Sequence, residues 1–179
     1  MSIPNLLSII RILLVPVFVY LYNFQNSYLL AALVILLSGL TDVADGYIAR
    51  HFNMITKLGI VLDPIADKLT QAVVLVCVVI RNPEILFLVI VFFIKEICML
   101  SGGAYFMAKK WDPVPAKWFG KLSTFVFYEV MFFMILFPNM VPTVKMILAG
   151  ISAVMLVIAF ILYIRVFVRI VRKGNSDTI

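Results

Sequence analysis

The chain has 179 residues, 64% of them hydrophobic and only 13% charged, and its 15 Lys and Arg against nine Asp and Glu give a net charge of +6. Soluble domains run about 45–50% apolar and about 25% charged, so this composition, with a mean hydropathy of +1.13, excludes a soluble globular protein and points to one that lies almost wholly in lipid. The positive charge reads as the cytoplasmic flanks of membrane spans, and no nucleic-acid partner is expected.

Six apolar segments reach the roughly 18 residues that cross a hydrocarbon core. They run over 5–23, 28–50, 58–80, 84–108, 117–137 and 144–167. The expectation is an all-α integral membrane protein with six transmembrane helices, one domain over 1–173 and a short disordered tail at 174–179. No small-residue cleavage site follows the first apolar run. The gaps "NFQNS", "RNPE", "KKWDPVPAK" and "FPNMVPT" carry the Pro, Asn and Gly that punctuate helices.

Basic residues orient the spans. The connections after segments one, three and five carry none, Arg81 and Lys145. The opposite side carries Arg50 and Lys57, then Lys109, Lys110, Lys117 and Lys121, then Arg165, Arg169, Arg172 and Lys173. Both termini are therefore expected in the cytoplasm of a multi-pass protein of the inner (plasma) membrane. Trp111 and Trp118 read as interface anchors, and the other aromatics and methionines as packing and lipid-facing residues. Cys77 and Cys98 lie inside apolar runs and read as buried thiols.

Segments two and three hold the chemistry. Asp42, Asp45, Asp63 and Asp67 are four of the nine acidic residues and fall between strongly apolar runs. A helix turns 100° per residue, so Asp42, Asp45, Gly46 and Ala49 share one face, as do Gly59, Asp63 and Asp67. The short connection "HFNMITK" makes the two helices antiparallel neighbours with facing cytoplasmic halves. Four carboxylates cannot all stay ionised in low dielectric without compensation. Divalent cations can bind, the groups can form a proton or ion pathway, or Arg50, Lys57 and Lys68 can pair with them. An all-oxygen donor set suits hard cations such as Mg²⁺, Mn²⁺ or Ca²⁺. Four carboxylates on two helices match a two-metal site, which commonly handles phosphate. In a membrane the natural phosphate-bearing substrate is an activated lipid.

The stretch Asp42-x2-Asp45-Gly46-x2-Ala49-Arg50-x8-Gly59-x3-Asp63-x3-Asp67 resembles the signature of the CDP-alcohol phosphotransferases (CDP-alcohol phosphatidyltransferases) at all eight fixed positions over 26 residues. The resemblance implies a homodimer of six-helix subunits with two divalent cations, Mg²⁺ or Mn²⁺. Asp42 and Asp63 would touch both ions, Asp45 one, and Asp67 the other while serving as general base. Gly46, Arg50 and Thr56 match positions that hold the CDP part of the donor. The opening "IPNLLSIIR" looks like the family's N-terminal segment and puts Asn5 and Ser8 near the nucleotide. The implied reaction moves the phosphatidyl group of CDP-diacylglycerol to an alcohol and releases CMP.

The chain is most similar to phosphatidylglycerophosphate synthases, whose acceptor is glycerol 3-phosphate. Lys95, Lys117 and Lys121 are the basic candidates for holding that acceptor. "GKLST" is similar to an element expected there, whereas Lys95-Glu96 stands where Arg-Glu is usual, and Glu129 is an addition. Cardiolipin synthases, which use phosphatidylglycerol, are the alternative within the family. An ion-coupled transporter is the alternative outside it. A transporter would continue its polar groups to the outer face, where segments two and three read "YLLAALVILL" and "AVVLVCVVI".

Overall fold

The computed structural model describes residues 3–51, 57–109 and 117–176, and the side chains at 3–5, 42–51, 57–58, 60–61, 107 and 172–176 lie outside the described set. Every described element is helical. Helix α1 (Ile3–Val19) runs into a π-helical turn, Tyr20–Phe24, and is followed by α2 (Tyr28–His51) and α3 (Lys57–Arg81). A 3₁₀ turn, Pro83–Ile85, then leads to α4 (Leu86–Ala108), α5 (Trp118–Leu136) and α6 (Pro142–Ser176). Each expected segment holds one helix, and the gaps that end them are the Pro- and Asn-bearing ones. Helix α6 continues through Ser176, past the boundary expected at 173.

Four stretches are long and apolar enough to cross a membrane: Leu6–Phe24, Pro83–Phe106, Trp118–Leu136 and Pro142–Val171. In α2 the apolar helix is the shorter Tyr28–Thr41, which the aspartates follow. Outward-facing side chains are themselves apolar, among them Leu13, Leu37, Ile80, Leu100, Phe125 and Val154. Large apolar surfaces of this kind belong against lipid, and the protein is a multi-pass membrane protein.

By its internal packing the chain divides into two compact units, Met1–Pro83 with Met131–Met140, and Glu84–Val130 with Val141–Ile179. In the first, α1 packs against both α2 and α3. Its buried residues are Ser8, Arg11, Val15, Phe18 and Tyr22. That alternating spacing of three and four forms a single stripe along one helix face. Ala31, Ala32 and Ala66 are fully covered, and such small residues let membrane helices approach closely. Leu14, Val15 and Phe18 of α1, Val34, Ile35 and Ser38 of α2, and Thr70 and Val74 of α3 enclose a void of only about 10 Å³. That is about one water's worth of space, so the three helices meet in a closed seam.

Arg81 at the end of α3 ties the other end of this unit together. Its Nη1 donates to the Tyr28 hydroxyl at 2.7 Å, and its Nη2 donates to the Asn23 carbonyl at 3.0 Å and to Asn26 Oδ1 at 2.6 Å. The guanidinium also lies over the Tyr22 and Tyr28 rings, 4.9 and 5.5 Å from their centroids. The π turn, closed by the Gln25 amide donating to the Tyr20 carbonyl at 3.1 Å, delivers Tyr22 and Asn23 to that cation. Asn26, at φ 54°, takes the left-handed turn that asparagine tolerates. Arg81→Met is expected to cost about 2–3 kcal/mol, the usual weight of hydrogen bonds to a charged group, read as a lower thermal midpoint of the detergent-solubilised protein. An unchanged midpoint would remove Arg81 from the account of stability.

In the second unit α4 packs on α6. Phe106 stacks on Phe167 with centroids 5.2 Å apart, and Phe92 on Phe127 at 5.4 Å. A Cβ on Gly120 would stand 2.4 Å from the Tyr163 hydroxyl, so only glycine admits that ring against α5. Cys77 is buried and its sulfur accepts a hydrogen bond from Asn23 Nδ2 at 3.2 Å, but Cys98 is exposed, against the expectation that both thiols are buried. The reason is physical: a lipid-facing position is as apolar in sequence as a core position. Trp118 is 72% exposed, and Trp111 lies outside the described residues.

Candidate active site

Asp63 and Asp67 lie on consecutive turns of α3, and each carboxylate is partly exposed. The Ser8 hydroxyl of α1 donates to Asp63 Oδ1. Ser8 is fully buried, so the contact is a fixed part of the α1–α3 seam. Asp67 Oδ2 accepts from Gln71 Nε2 at 3.0 Å, and Gln71 Oε1 accepts from Lys68 Nζ at 3.4 Å. Gly59 is buried one turn before Asp63 and presents backbone rather than a side chain there. Pro64 sits inside α3 without ending it. Lacking an N–H, it leaves the carbonyl one turn earlier without its helical donor.

The remaining expected residues divide between the units. Asp42, Asp45, Gly46 and Arg50 lie on the helical backbone of α2, and their side chains lie outside the described residues. The same holds for Asn5 on α1, while Thr56 lies wholly outside. Because α2 is helical through His51, the spacing of Asp42 and Asp45 does put both on one face. Their facing of α3 falls on residues outside the described set. Ser8, expected near the nucleotide, is hydrogen-bonded to the Asp63 carboxylate.

Lys95, Lys117 and Lys121 belong to the second unit. Lys95 is 7% exposed and its Nζ lies 2.6 Å from Oε1 of the equally buried Glu96. The buried cation thus carries its own counter-charge, as a membrane interior demands. Lys117 precedes α5, its backbone N–H donating to the Tyr163 hydroxyl at 3.3 Å, and Lys121 is exposed on the first turns.

Two polar residues escape a reading by motif. Arg11 is 1% exposed and lies one turn beyond Ser8 on the same stripe of α1. Arginine stays protonated at any working pH, so a fully covered guanidinium brings a permanent positive charge to the face that meets Asp63. Its signal in the sequence is an arginine inside the apolar run Leu6–Phe24. Gln71, 2% exposed, is signalled by standing four residues after Asp67.

The described donors fit a hard divalent cation. Asp63 and Asp67 offer oxygen only, and each has one oxygen held by a neutral donor, which orients a carboxylate without neutralising it. Among the described residues no three His, Cys, Asp or Glu side chains come together. A complete set needs Asp42 and Asp45.

Comparison with known proteins accords with this chemistry. A family model described as CDP-alcohol phosphatidyltransferase matches residues 1–171. A protein of Aquifex aeolicus named CDP-diacylglycerol–glycerol-3-phosphate 3-phosphatidyltransferase is 33% identical over 126 residues, which is 69% of this chain and 70% of that protein. One of the same name from Rickettsia typhi is 37% identical over 129 residues, 70% of this chain and 71% of that one. A cardiolipin synthase (CMP-forming)/mitochondrial hydrolase fusion protein of Schizosaccharomyces pombe is 35% identical over 108 residues, 60% of this chain but 18% of the fusion.

Proposed function

This chain belongs to the CDP-alcohol phosphatidyltransferase family, and on that basis we propose that it transfers the phosphatidyl group of CDP-diacylglycerol to glycerol 3-phosphate, forming phosphatidylglycerophosphate and CMP. The observation that carries the choice of acceptor is the shared name of the Aquifex and Rickettsia relatives, each similar over about two thirds of both chains.

In this reading the donor's acyl chains stay in the bilayer and its diphosphate lies at the cytoplasmic ends of α2 and α3. Asp42, Asp45, Asp63 and Asp67 would hold two Mg²⁺ or Mn²⁺ ions, which when bound would supply positive charge beside the diphosphate and beside the attacking and leaving oxygens of the displacement. Arg50 forks onto a phosphate, as a guanidinium does bidentately. Gly46 lets the nucleotide approach the backbone, and Asn5, Ser8 and Thr56 hold the CDP part. Asp67 takes the proton of the acceptor hydroxyl as its oxygen attacks the lipid-side phosphorus. The bond from that phosphorus to the bridging oxygen breaks, and CMP leaves with the electron pair. Positioning and electrostatics do most of this work.

Lys117 and Lys121 hold the anionic acceptor. Lys95 contributes only as a pair with Glu96, since the buried ammonium is already matched. The protein acts as a homodimer of six-span subunits in the inner membrane, with both termini and the active site on the cytoplasmic side, as the basic flanks support.

The test is CMP release from purified protein given CDP-diacylglycerol and Mg²⁺, with each acceptor in turn. Release with glycerol 3-phosphate and not with phosphatidylglycerol is expected. Release with phosphatidylglycerol alone would make the enzyme a cardiolipin synthase, and release with neither alcohol would end the assignment.

A further inference from the structure

We propose that Gln71 is a positioning residue for Asp67, holding one carboxylate oxygen so that the other meets the acceptor hydroxyl in a fixed direction. The proposal rests on the assignment of Asp67 as general base. Gln71 is 2% exposed and its Nε2 donates to Asp67 Oδ2 at 3.0 Å. The orientation of the amide is set by its other end. Lys68 Nζ, which can only donate, reaches Gln71 Oε1 at 3.4 Å, and this turns the NH₂ toward Asp67.

An Asp–Gln pair four residues apart can be an ordinary helix-surface contact. Burial argues otherwise. The covered residues that follow on the same face of α3 are Val74, Leu75 and Val78, so an aliphatic side chain at position 71 would serve packing as well. A covered amide costs free energy unless both its ends are bonded, and here one bond goes to the carboxylate that must act. The neighbouring hydroxyl does not compete, because Thr70 Oγ1 donates to its own helix, to the Ala66 carbonyl at 2.8 Å. A carboxylate free to rotate about its terminal torsion samples directions that miss the substrate, and fixing it spares the reaction that search.

The experiment compares the purified full chain with Gln71→Met, which keeps length and volume but loses the donor. Gln71→Glu, which keeps the Lys68 partner but turns an acceptor toward Asp67, is the second variant should the first fail to fold. Four quantities are read: kcat and KM for CMP release from CDP-diacylglycerol, Mn²⁺ binding by electron paramagnetic resonance, and the thermal midpoint. The expected result is a kcat lower by about 10-fold or more, the usual weight of a residue that orients an acting group, with KM for the donor, Mn²⁺ affinity and midpoint within about twofold or a few degrees of wild type. A wild-type kcat in both variants would overturn the proposal. So would a fall in kcat that tracks the midpoint or a raised KM, since Gln71 would then be packing alone. Absence of CMP release from the wild type would overturn the reaction itself, and this inference with it, and is told apart because it appears before any substitution is made.

Discussion

Asp67→Asn is expected to reduce CMP release by about 10²–10⁴-fold, the range that a positioned general base supplies, while binding of CDP-diacylglycerol persists. Asparagine has nearly the volume of aspartate and can still accept from Gln71, so the turn of α3 that carries Asp63, Asp67 and Gln71 keeps its shape. What is lost is the capacity to take a proton. A fall in kcat with little change in KM marks an interaction made only on the way to the transition state. The measurement is steady-state CMP release alongside equilibrium binding of the donor. Activity within about threefold of wild type would remove Asp67 from the role of base. Loss of donor binding as well would make it chiefly a metal ligand.

Removal of divalent cations should have the second-largest effect. Treatment with a chelator followed by exchange into metal-free buffer is expected to bring CMP release to background, and Mg²⁺ or Mn²⁺ to restore it. The reason is electrostatic. In the proposed site Asp42 and Asp45 of α2 join Asp63 and Asp67 of α3, and carboxylates gathered in low dielectric repel unless a cation lies among them or some protonate. The same repulsion makes the thermal midpoint rise on adding the metal, because a ligand bound only to the folded state stabilises it by mass action. Turnover that survives complete chelation would overturn the metal site, and a midpoint that ignores Mg²⁺ would weaken it independently of catalysis.

What could be read from the sequence followed from local rules. Six helices were legible because Asn, Pro and charged residues interrupt the apolar runs, and the aspartate faces because their spacing is helical. Contacts between helices were not. Ser8 and Asp63 are 55 residues apart, and no local pattern in "IPNLLSIIR" says that its serine meets a carboxylate of α3. No motif marks Arg11, and its covered guanidinium is a different object from a flanking charge. Gln71 was absorbed into an apolar run. Cys98 was misplaced because hydropathy cannot distinguish a neighbour that is lipid from one that is protein. Lys95 and Glu96 are neighbours in the sequence, and the structure joins them in an ion pair.

The polarity of α2 and α3 bears on how the protein is made. Helices α4, α5 and α6 and the run Leu6–Phe24 are apolar enough to enter a bilayer one at a time. Helices α2 and α3 each carry two aspartates, and each ionised carboxylate drawn toward the hydrocarbon adds to the cost of insertion. They are poor candidates for leaving the translocon alone. Helix α1 is synthesised first and packs against both, so its Ser8–Tyr22 stripe is a surface on which the two can be chaperoned into the membrane. A lesion on that stripe would then act during biogenesis, leaving two helices stranded at the interface and exposed to quality-control proteolysis, in addition to loosening a finished enzyme.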